Sequence, residues 1–282
     1  MELLPRKKRT DALTLAQTTA FYLYGAGPIA RRFYRALQRR GLAHHVIGFL
    51  VTRFDEHTPH VLEGVPVCEA QQAQRDQLVF IAAHEMWKDE IIRHLRKLGF
   101  SQYVFVANSI FDFEYGYPIE RGTKIEIKSL VRSMLTHSIS IPVYYSVIHN
   151  FFHPKKDGDK LYLKCYSFIG SEQSAKGRLD RFHEMIRMTQ SDGLKTIQDY
   201  SIKVNESKSQ ILDGLHRTTL ALWGGISYLK ADVYQTRSHI IYEGNMKIFY
   251  RLEVAKEVYT SDELREIQGF RDLIVNKLGQ FY

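Results

Sequence analysis

The sequence feature that most constrains the fold is the stretch ILDGLHRTTLALWGG at residues 211–225. A short apolar run leads into Asp213-Gly214, and a helix-forming segment then opens with His216 and Arg217. This order predicts a strand, a tight turn and a helix. The first turn of a helix leaves backbone N–H groups without internal partners and carries partial positive charge. We therefore expect an anion at this turn.

The residue types of the turn favour a phosphate. Gly214 allows either an unusual φ or a close approach of the backbone. Arg217 carries a planar, permanent charge that suits bidentate contact with phosphate oxygens. The expected phosphate-binding residues are Gly214, Leu215, His216, Arg217 and Thr218. The alternative is purely structural: Asp213 as a helix N-cap, Arg217 on the surface, and the apolar residues of the helix in the core.

The pattern strand-DG-x-HR-x-x-x-A, followed by Gly224-Gly225 and a predicted strand at 228–234, resembles the ParB/sulfiredoxin superfamily. A predicted helix at 177–190 and a predicted strand at 200–204 precede the motif in the order that this superfamily shows. Sulfiredoxin has a cysteine where this chain has Leu215, which argues against a sulfinic-acid reductase. The DG-x-HR form is closer to the nucleotide-dependent kinases of the superfamily, free-serine kinases among them, than to ParB partition proteins.

The resemblance implies a domain that binds ATP or ADP and transfers a phosphoryl group to a hydroxyl. Glu172, expected in a loop before the helix, is the nearest match in position to the glutamate that takes the hydroxyl proton in ParB-like serine kinases. A surface glutamate is the alternative, and Asp180, His183 and Glu184 on the predicted helix are rival candidates for the base. Asp213 could hold Mg²⁺ beside the phosphates, although N-capping would explain this residue equally well. The expected catalytic residues are Glu172, Asp213 and His216, and the expected metal ligand is Asp213.

The N-terminal half opens with the β-prone run FYLY at 21–24, followed by GAGPIA and a helix. Strand, GxGxxA and helix is the order of a Rossmann-type phosphate turn, in which Gly25 makes the bend and Gly27 lets a ligand approach. A turn kept small only for packing is the alternative. His84 follows a later strand, at the sheet edge where open α/β folds bind ligands. The expected ligand-binding residues are Gly25, Gly27, Ala30 and His84.

Further strands are predicted at 46–51, 78–83 and 103–107, with a helix at 86–98, and this alternation predicts a parallel, doubly wound sheet. The second strand ends in Thr52-Arg53 without the acidic residue of a dinucleotide fingerprint, which argues against a dinucleotide. The layout YGAG, VIGFLV, EGVPV and VFIAA resembles the Rossmann-like N-terminal domains of bacterial surface-polysaccharide enzymes, including sugar acyltransferases. Those domains bind or present a nucleotide-linked sugar.

The predicted fold class is α/β, with an N-terminal Rossmann-like parallel sheet followed by an α+β ParB/sulfiredoxin-like domain. The 282 residues, 44% of them apolar, allow two ordinary domains. A strand is predicted at 161–168, at the start of the second domain. The predicted boundaries are a flexible basic tail at 1–18, a Rossmann-like domain at 19–115, a linker or bridging segment at 116–158, and a nucleotide-binding domain with a C-terminal helix at 159–282.

Composition restricts the partners and the compartment. The net charge of +8 is spread over several segments, which favours solvated surfaces over a nucleic-acid groove. Two distant cysteines support neither a disulfide framework nor a zinc site, and a reducing cytoplasm fits best. No apolar run approaches the roughly 20 residues that span a bilayer, and no signal-peptide h-region is expected.

The sequence thus predicts a cytoplasmic, nucleotide-dependent phosphotransferase that acts on a hydroxyl of a small molecule or sugar, plausibly in surface-polysaccharide biosynthesis. ATP or ADP with Mg²⁺ is the expected cofactor. One alternative is a non-enzymatic, ParB-like protein that binds a nucleotide or DNA. The other is a transferase or oxidoreductase that uses the first domain, with a structural second domain.

Overall fold

The structure, a computed structural model of the 282-residue chain, describes residues 12–56, 58–154, 158–191, 193–198, 200–236 and 252–279. The chain divides into two compact units, residues 1–117 and 118–282, and each contains helices and its own β-sheet. The mixed α/β class predicted from the sequence is therefore confirmed. No helix in the described part of the chain is both long enough and apolar enough to span a membrane.

The first unit alternates strands and helices. Its elements are α1 (Ala12–Thr18), β1 (Phe21–Tyr24), α2 (Pro28–Arg39), β2 (Val46–Val51), β3 (Val61–Leu62), β4 (Val65–Glu69), β5 (Leu78–Ile81), α3 (Lys88–Lys97), β6 (Tyr103–Phe105) and α4 (Ile110–Tyr115). The strand order is β3-β4-β2-β1-β5-β6, and all pairs are parallel except β3 with β4. The order reverses at β1, because β2 lies on one side of it and β5 on the other.

Helices cover both faces of this sheet. Phe21 and Leu23 of β1 pack into a core with α1, α2 and α4, whereas Tyr22 and Tyr24 pack into a second core with α3. Successive residues of a strand point to opposite faces. The fully apolar run of β1 is thus explained by burial on both sides, and the parallel sheet that the alternation predicts is present in this unit.

The predicted tail at 1–18 is corrected in part. Residues 1–11 lie outside the described residues, but Ala12–Thr18 forms helix α1. Its Leu13 and Ala16 are buried in the core on one face of the sheet. The unit itself ends at residue 117, two residues beyond the predicted end of the first domain at 115.

The second unit combines a mixed sheet with several helices. Its elements are β7 (Glu120–Glu126), α5 (Ile127–His137), α6 (Ser140–Phe152), α7 (Gly158–Ile169), α8 (Glu172–Ser191), α9 (Lys195–Gln198), β8 (Ile202–Asn205), β9 (Ile211–Asp213), α10 (Leu215–Trp223), β10 (Tyr228–Tyr234), α11 (Leu252–Val258) and α12 (Ser261–Gly279). The strand order is β7-β10-β8-β9. Strand β10 runs antiparallel to β7 and parallel to β8, while β9 runs antiparallel to β8.

Helix α6 lies at the centre of this unit. All its residues from Ser140 to Ile148 are buried, and it packs against α7, α10 and α12. A helix that is apolar on every side is stable only when other elements surround it. The apolar run at 144–148, whose residue types alone suit a strand or a helix, is therefore helical.

The segment at 116–158, predicted as a linker or bridging segment, is corrected by the structure. From Pro118 it belongs to the second unit, where it supplies β7, α5 and α6. Of the seven residues of β7, ERGTKIE, only Ile125 is buried, because this strand lies at the edge of its sheet. An edge strand with so little burial shows no alternating apolar pattern in the sequence.

The segment at 161–168, predicted as a strand, is wrong: it lies in helix α7. The buried residues of this segment are Leu161, Tyr162, Cys165 and Tyr166. Their spacing of one, three and four residues is that of a helical stripe. Apolar residue types alternate along this segment as they would in a strand, but the residues that are buried follow the helical repeat.

Candidate functional site

The motif at 211–225 has the predicted context. Strand β9 ends at Asp213, Gly214 forms the turn, and α10 begins at Leu215. Gly214 has a φ of +104°, in the left-handed region, and a Cβ there would lie 2.6 Å from Cγ2 of Ile202. Glycine is required on both counts, because other residues are strained at this φ and none has room for its side chain.

Helix α10 starts without a side-chain cap. Its N-cap residue is Gly214, which has no side chain, and no other side chain caps the helix. The backbone N–H groups of the first helical turn, at 215–217, therefore have no acceptor within the helix. Leu215, His216 and Arg217 are each partly exposed, and a helix start of this kind is a suitable place for an anion.

Thr218, predicted as a phosphate-binding residue, is turned away from this site. Its side chain is fully buried, and its hydroxyl donates to the carbonyl of Gly214 at 3.0 Å. Its backbone N–H donates to the same carbonyl at 2.9 Å. Thr218 thus closes the first helical turn, and both its donors are used inside the protein.

Arg217 is held beside the turn by two contacts. Its Nη1 donates to the carbonyl of Ser201 at 3.0 Å, and its Nη2 lies 3.8 Å from Oδ2 of Asp213. The Arg217 side chain is only 20% exposed, whereas that of Asp213 is 51% exposed. The N-cap alternative for Asp213 is wrong, since this residue precedes the cap. Asp213 instead places a carboxylate on the solvent side of the guanidinium.

His216 lies in an aromatic pocket. Its Nε2 is 2.7 Å from the hydroxyl of Tyr162, and its ring centroid lies 4.3 Å from that of Phe182 and 4.7 Å from that of Tyr144. Although part of its surface is exposed, this enclosure lowers the pKa of His216 to about 3. Burial is the larger cause of this lowered pKa, and the positive charges of nearby Arg178, Arg181 and Arg217 are the other part of it.

The neutral imidazole can donate one hydrogen bond and accept another, but it supplies no positive charge at neutral pH. Burial raises the pKa of the Tyr162 hydroxyl above its usual value, so the tyrosine stays protonated and can donate to Nε2. A ring that accepts at Nε2 carries its proton on Nδ1. His216 is thus a neutral hydrogen-bonding residue of the site, and the charge beside the turn comes from arginine.

The sequence did not indicate the tyrosines behind His216. Tyr144 and Tyr162 are almost fully buried, and the hydroxyls of Tyr144 and Tyr166 form a hydrogen bond. The rings of Tyr162 and Tyr166 lie 4.7 Å apart. Tyr162 and Tyr166 are four residues apart, which places them on one face of α7. This spacing indicates a shared face only if residues 161–168 are predicted as a helix.

Glu172, predicted as the catalytic base in a loop, is instead the first residue of α8. Its carboxylate is 73% exposed and pairs with Lys176 at 2.8 Å, which holds the pKa of Glu172 below its usual range. Phe182, the α8 residue in contact with His216, lies ten residues further along, or about 15 Å at 1.5 Å per residue. The structure therefore does not bring Glu172 to the turn.

In the first unit, Gly25 and Gly27 have different surroundings. Gly25 has a φ of +121°, and a Cβ there would lie 2.8 Å from the carbonyl oxygen of Ala82. Gly27 is exposed, has an ordinary φ and would meet no atom within 4 Å of an added Cβ. Ala30 is fully buried in the core. Gly25 and Ala30 are thus closely packed against neighbouring residues, whereas Gly27 is exposed at the turn.

His84 follows β5, next to the point where the strand order reverses. Its Nδ1 accepts a hydrogen bond from the backbone N–H of Met86 at 3.3 Å, so Nε2 is left as the possible donor. At the end of β2, the hydroxyl of Thr52 bonds that of Tyr24 at 2.6 Å. His84 and Gly27 both follow carboxyl ends of neighbouring parallel strands, where open α/β sheets bind ligands.

Asp213 is the only carboxylate that the described residues place against Arg217. Within residues 12–279 as described, no three histidine, cysteine, aspartate or glutamate side chains cluster to hold a metal ion. Magnesium needs no such cluster when phosphates are present, because one or two carboxylates and phosphate oxygens are its usual ligands. Asp213 fits that limited role.

Comparison of the chain with models of protein families, with curated proteins and with solved structures gave no significant match in any of the three. The function has to be inferred from the geometry of the site.

Proposed function

We propose that this protein is a nucleotide-dependent phosphotransferase that moves a phosphoryl group to a hydroxyl of a small molecule or sugar. The observation that carries the proposal is the uncapped start of α10 with Arg217 held beside it. The first turn of α10 has three backbone N–H groups without partners in the helix, and the Arg217 guanidinium lies beside Asp213, which precedes that turn. This combination suits a phosphate group. The resemblance of the motif to ParB/sulfiredoxin-like kinases supports a nucleotide as the source of that phosphate.

The charges around the turn suit phosphoryl transfer. In such transfers the protein mainly positions the reactants and stabilises the charge on the phosphoryl oxygens. Arg217 provides fixed charge, and neutral His216 provides a hydrogen bond without competing for a proton. The contact to Ser201 orients the Arg217 guanidinium before any ligand arrives, so little ordering is needed on binding.

Asp213 is the residue that would hold Mg²⁺ in this proposal. When bound, the ion would neutralise charge on the phosphate oxygens. No step is assigned to Glu172, whose position at the exposed start of α8 is remote from the turn. A strong base is not essential, because the transition state of phosphoryl transfer is largely loose and the acceptor proton can pass late to an oxygen of the transferred phosphate or to water.

The first unit has a ligand-binding role of its own in this proposal. Gly27 and His84 lie at the carboxyl edge of its parallel sheet, the usual ligand side of such sheets. The layout of the unit resembles the N-terminal domains of bacterial surface-polysaccharide enzymes, which favours a sugar-linked ligand for this unit. The proposed setting is therefore a cytoplasmic step of surface-polysaccharide biosynthesis.

The test is nucleotide binding by calorimetry, with ATP and ADP, each with and without Mg²⁺. We expect Arg217→Ala to weaken nucleotide binding at least tenfold, because a charge-assisted contact to phosphate is lost. Arg187→Ala is the matched control, since Arg187 is an exposed arginine of the same unit that pairs with Glu184. Unchanged affinity of Arg217→Ala would refute the phosphate site.

A second measurement separates the enzyme from the alternatives. Labelled ATP or ADP is incubated with a panel of hydroxyl-bearing sugars and amino acids, and transfer of label is followed. Nucleotide binding without transfer to any acceptor would favour a ParB-like binding protein. Activity that survives Arg217→Ala and is lost on Gly27→Trp would favour a transferase or oxidoreductase that uses the first unit.

A further inference from the structure

Two arginines of α8, Arg178 and Arg181, lie on the part of this helix that faces the start of α10. Phe182 identifies the face of α8 that lies against α10, because its ring contacts the ring of His216. Arg178 precedes Phe182 by four residues and therefore shares its face of the helix, and Arg181 follows Arg178 at a spacing of three.

Neither arginine is neutralised within the described residues. Arg178 is exposed and lies over the ring of Tyr166, with 5.0 Å between its guanidinium carbon and the ring centroid. Arg181 is exposed and forms no hydrogen bond or ion pair with any described residue. The other Lys and Arg side chains of α8 do form ion pairs: Lys176 with Glu172 at 2.8 Å, and Arg187 with Glu184 at 3.1 Å. The unpaired positive charge of α8 is therefore concentrated near α10.

The three arginines lie around His216. Arg217 follows His216 in α10, and Arg181 precedes Phe182, whose ring lies 4.3 Å from that of His216. Arg178 lies over the ring of Tyr166, which is 4.7 Å from the ring of Tyr162, the hydrogen-bond partner of His216. Each of the three acts on the His216 imidazole and disfavours its protonation. Like charges gathered at one place repel one another, and a bound anion with several oxygens would relieve that repulsion. The hydrogen bond of Arg217 to Ser201 and the cation–π contact of Arg178 hold two of these guanidinium groups in place.

We propose that Arg178 and Arg181 bind a second phosphate group of the ligand whose first phosphate lies at the start of α10. The site then takes a diphosphate or triphosphate chain in preference to a phosphate monoester. Two forked guanidinium groups on α8 match the oxygens of a second phosphate, while the N–H groups of α10 and Arg217 match the first. This inference rests on the proposed function, which places the first phosphate.

The experiment compares inorganic pyrophosphate with inorganic orthophosphate, both titrated calorimetrically into the full-length chain. Wild type should bind pyrophosphate at least tenfold more tightly than orthophosphate. Arg181→Ala and Arg178→Ala should each remove most of that preference, while orthophosphate affinity changes less than threefold. Arg217→Ala should weaken both ligands, and Arg187→Ala, the matched control on the same helix, should change neither.

Folding is checked by thermal unfolding of every variant. Arg178→Ala also removes the contact to Tyr166, but Arg181→Ala removes no described contact, so its result stands even where Arg178→Ala fails to fold. Arg181→Lys, which keeps the charge and loses the fork, should keep only part of the preference.

The outcomes separate the two proposals. If wild type prefers pyrophosphate and both Arg178→Ala and Arg181→Ala keep that preference, the second subsite is refuted and the phosphate at α10 stands. If pyrophosphate binding is lost in these variants but unchanged in Arg217→Ala, the α8 arginines form a separate anion site, which refutes a shared one. If wild type binds neither ligand, the proposed function fails first, and this inference fails with it.

Discussion

At the scale of a single residue, His216 forms a hydrogen bond while it is uncharged, and the positive charge beside it is carried by arginines. Its ring is enclosed by aromatic side chains, and Tyr162 occupies Nε2. A histidine paired with a carboxylate would be a cation at neutral pH, but His216 is kept neutral by desolvation and by the arginines around it. In the proposed site, the negative charge of a phosphate would therefore be balanced by arginine.

The lowered pKa of His216, about 3, predicts a specific dependence of stability on pH. Between pH 6.5 and 3 the unfolded chain binds a proton that the folded site excludes, so the free energy of unfolding falls as the pH falls through this window. We expect the contribution of His216 to stability to be complete above pH 7 and to drop by about 2 kcal/mol by pH 5.

This pH dependence can be measured by urea denaturation of wild type and His216→Asn at pH 7 and pH 5. Other titrating groups act in both proteins, so the difference between the two slopes isolates His216. Equal slopes would contradict the neutral assignment. The NMR chemical shifts of the His216 ring should also stay constant from pH 7 to pH 5.

Tyr162→Phe should destabilise the protein by about 1–3 kcal/mol, because the buried Nε2 of His216 loses its hydrogen-bond partner. The matched control is Tyr103→Phe, which removes a hydroxyl that accepts from an exposed arginine, Arg96, and should cost less than about 0.5 kcal/mol. Urea denaturation at pH 7 gives both values. A loss at Tyr162 no larger than that at Tyr103 would show that the contact contributes nothing.

Sequence reasoning found some residues of the site but not others. The spacing of Gly214, His216 and Arg217 was enough to place the turn, since a strand-to-helix turn is a local structure. Tyr162 contributes through a contact between residues 54 positions apart, and no local pattern signals such a contact. Thr218 was assigned to the ligand side because its residue type allowed it, whereas helix geometry turns it inward.

At the scale of secondary-structure elements, the turn depends on the close packing of β8 under Gly214. Gly214→Ala should lower the free energy of unfolding by at least about 2 kcal/mol, because it combines a strained φ with a clash against Ile202. Gly225→Ala is the matched control, since Gly225 also has a positive φ, +74°, but an added Cβ would meet no atom within 4 Å. That control should cost about 1 kcal/mol.

Thermal or urea unfolding of both glycine variants measures the difference. A cost at Gly214 equal to that at Gly225 would mean that β8 yields to the added methyl group. Binding of orthophosphate to Gly214→Ala should also weaken, since the start of α10 would be displaced.

Elements with a clear burial pattern were predictable, and those without one were not. β1 and β5 are short apolar runs that are buried on both faces, and both were predicted. α7 was mistaken for a strand because apolar residues alternate through LYLKCYSF while burial follows the helical repeat. The early start of α8 was missed because its first turn, beginning at Glu172, is exposed and carries no apolar stripe.

At the scale of the whole molecule, the boundary between the units decides which truncated chains can fold. A chain that begins at Pro118 keeps β7, whereas one that begins at Lys128 lacks it and exposes the edge of β10. We expect cooperative urea unfolding of the first chain and loss of cooperativity in the second, monitored by circular dichroism. Equal urea midpoints for the two chains would show that β7 is dispensable, as the predicted linker would be.

The two-unit organisation was predictable because residues 21–105 follow a regular alternation of strand and helix that ends before Gly116 and Pro118. The predicted linker at 116–158 was too long, because the second unit begins at residue 118. Glycine and proline mark a boundary well, but they do not show how soon the next unit begins. Here it begins at once, with a polar strand.

The pairing of β7 with β10 also has a consequence for how the protein is made. These strands are about 100 residues apart in the chain, and Asp232 of β10 accepts a hydrogen bond from the backbone of Gly122 in β7. At a translation rate of 5–20 residues per second, β7 leaves the ribosome roughly 5–20 s before its partner exists. During that interval all strands of the first unit have been synthesised, while β7 has no partner strand to pair with. Its charged, polar sequence keeps this strand from joining other chains.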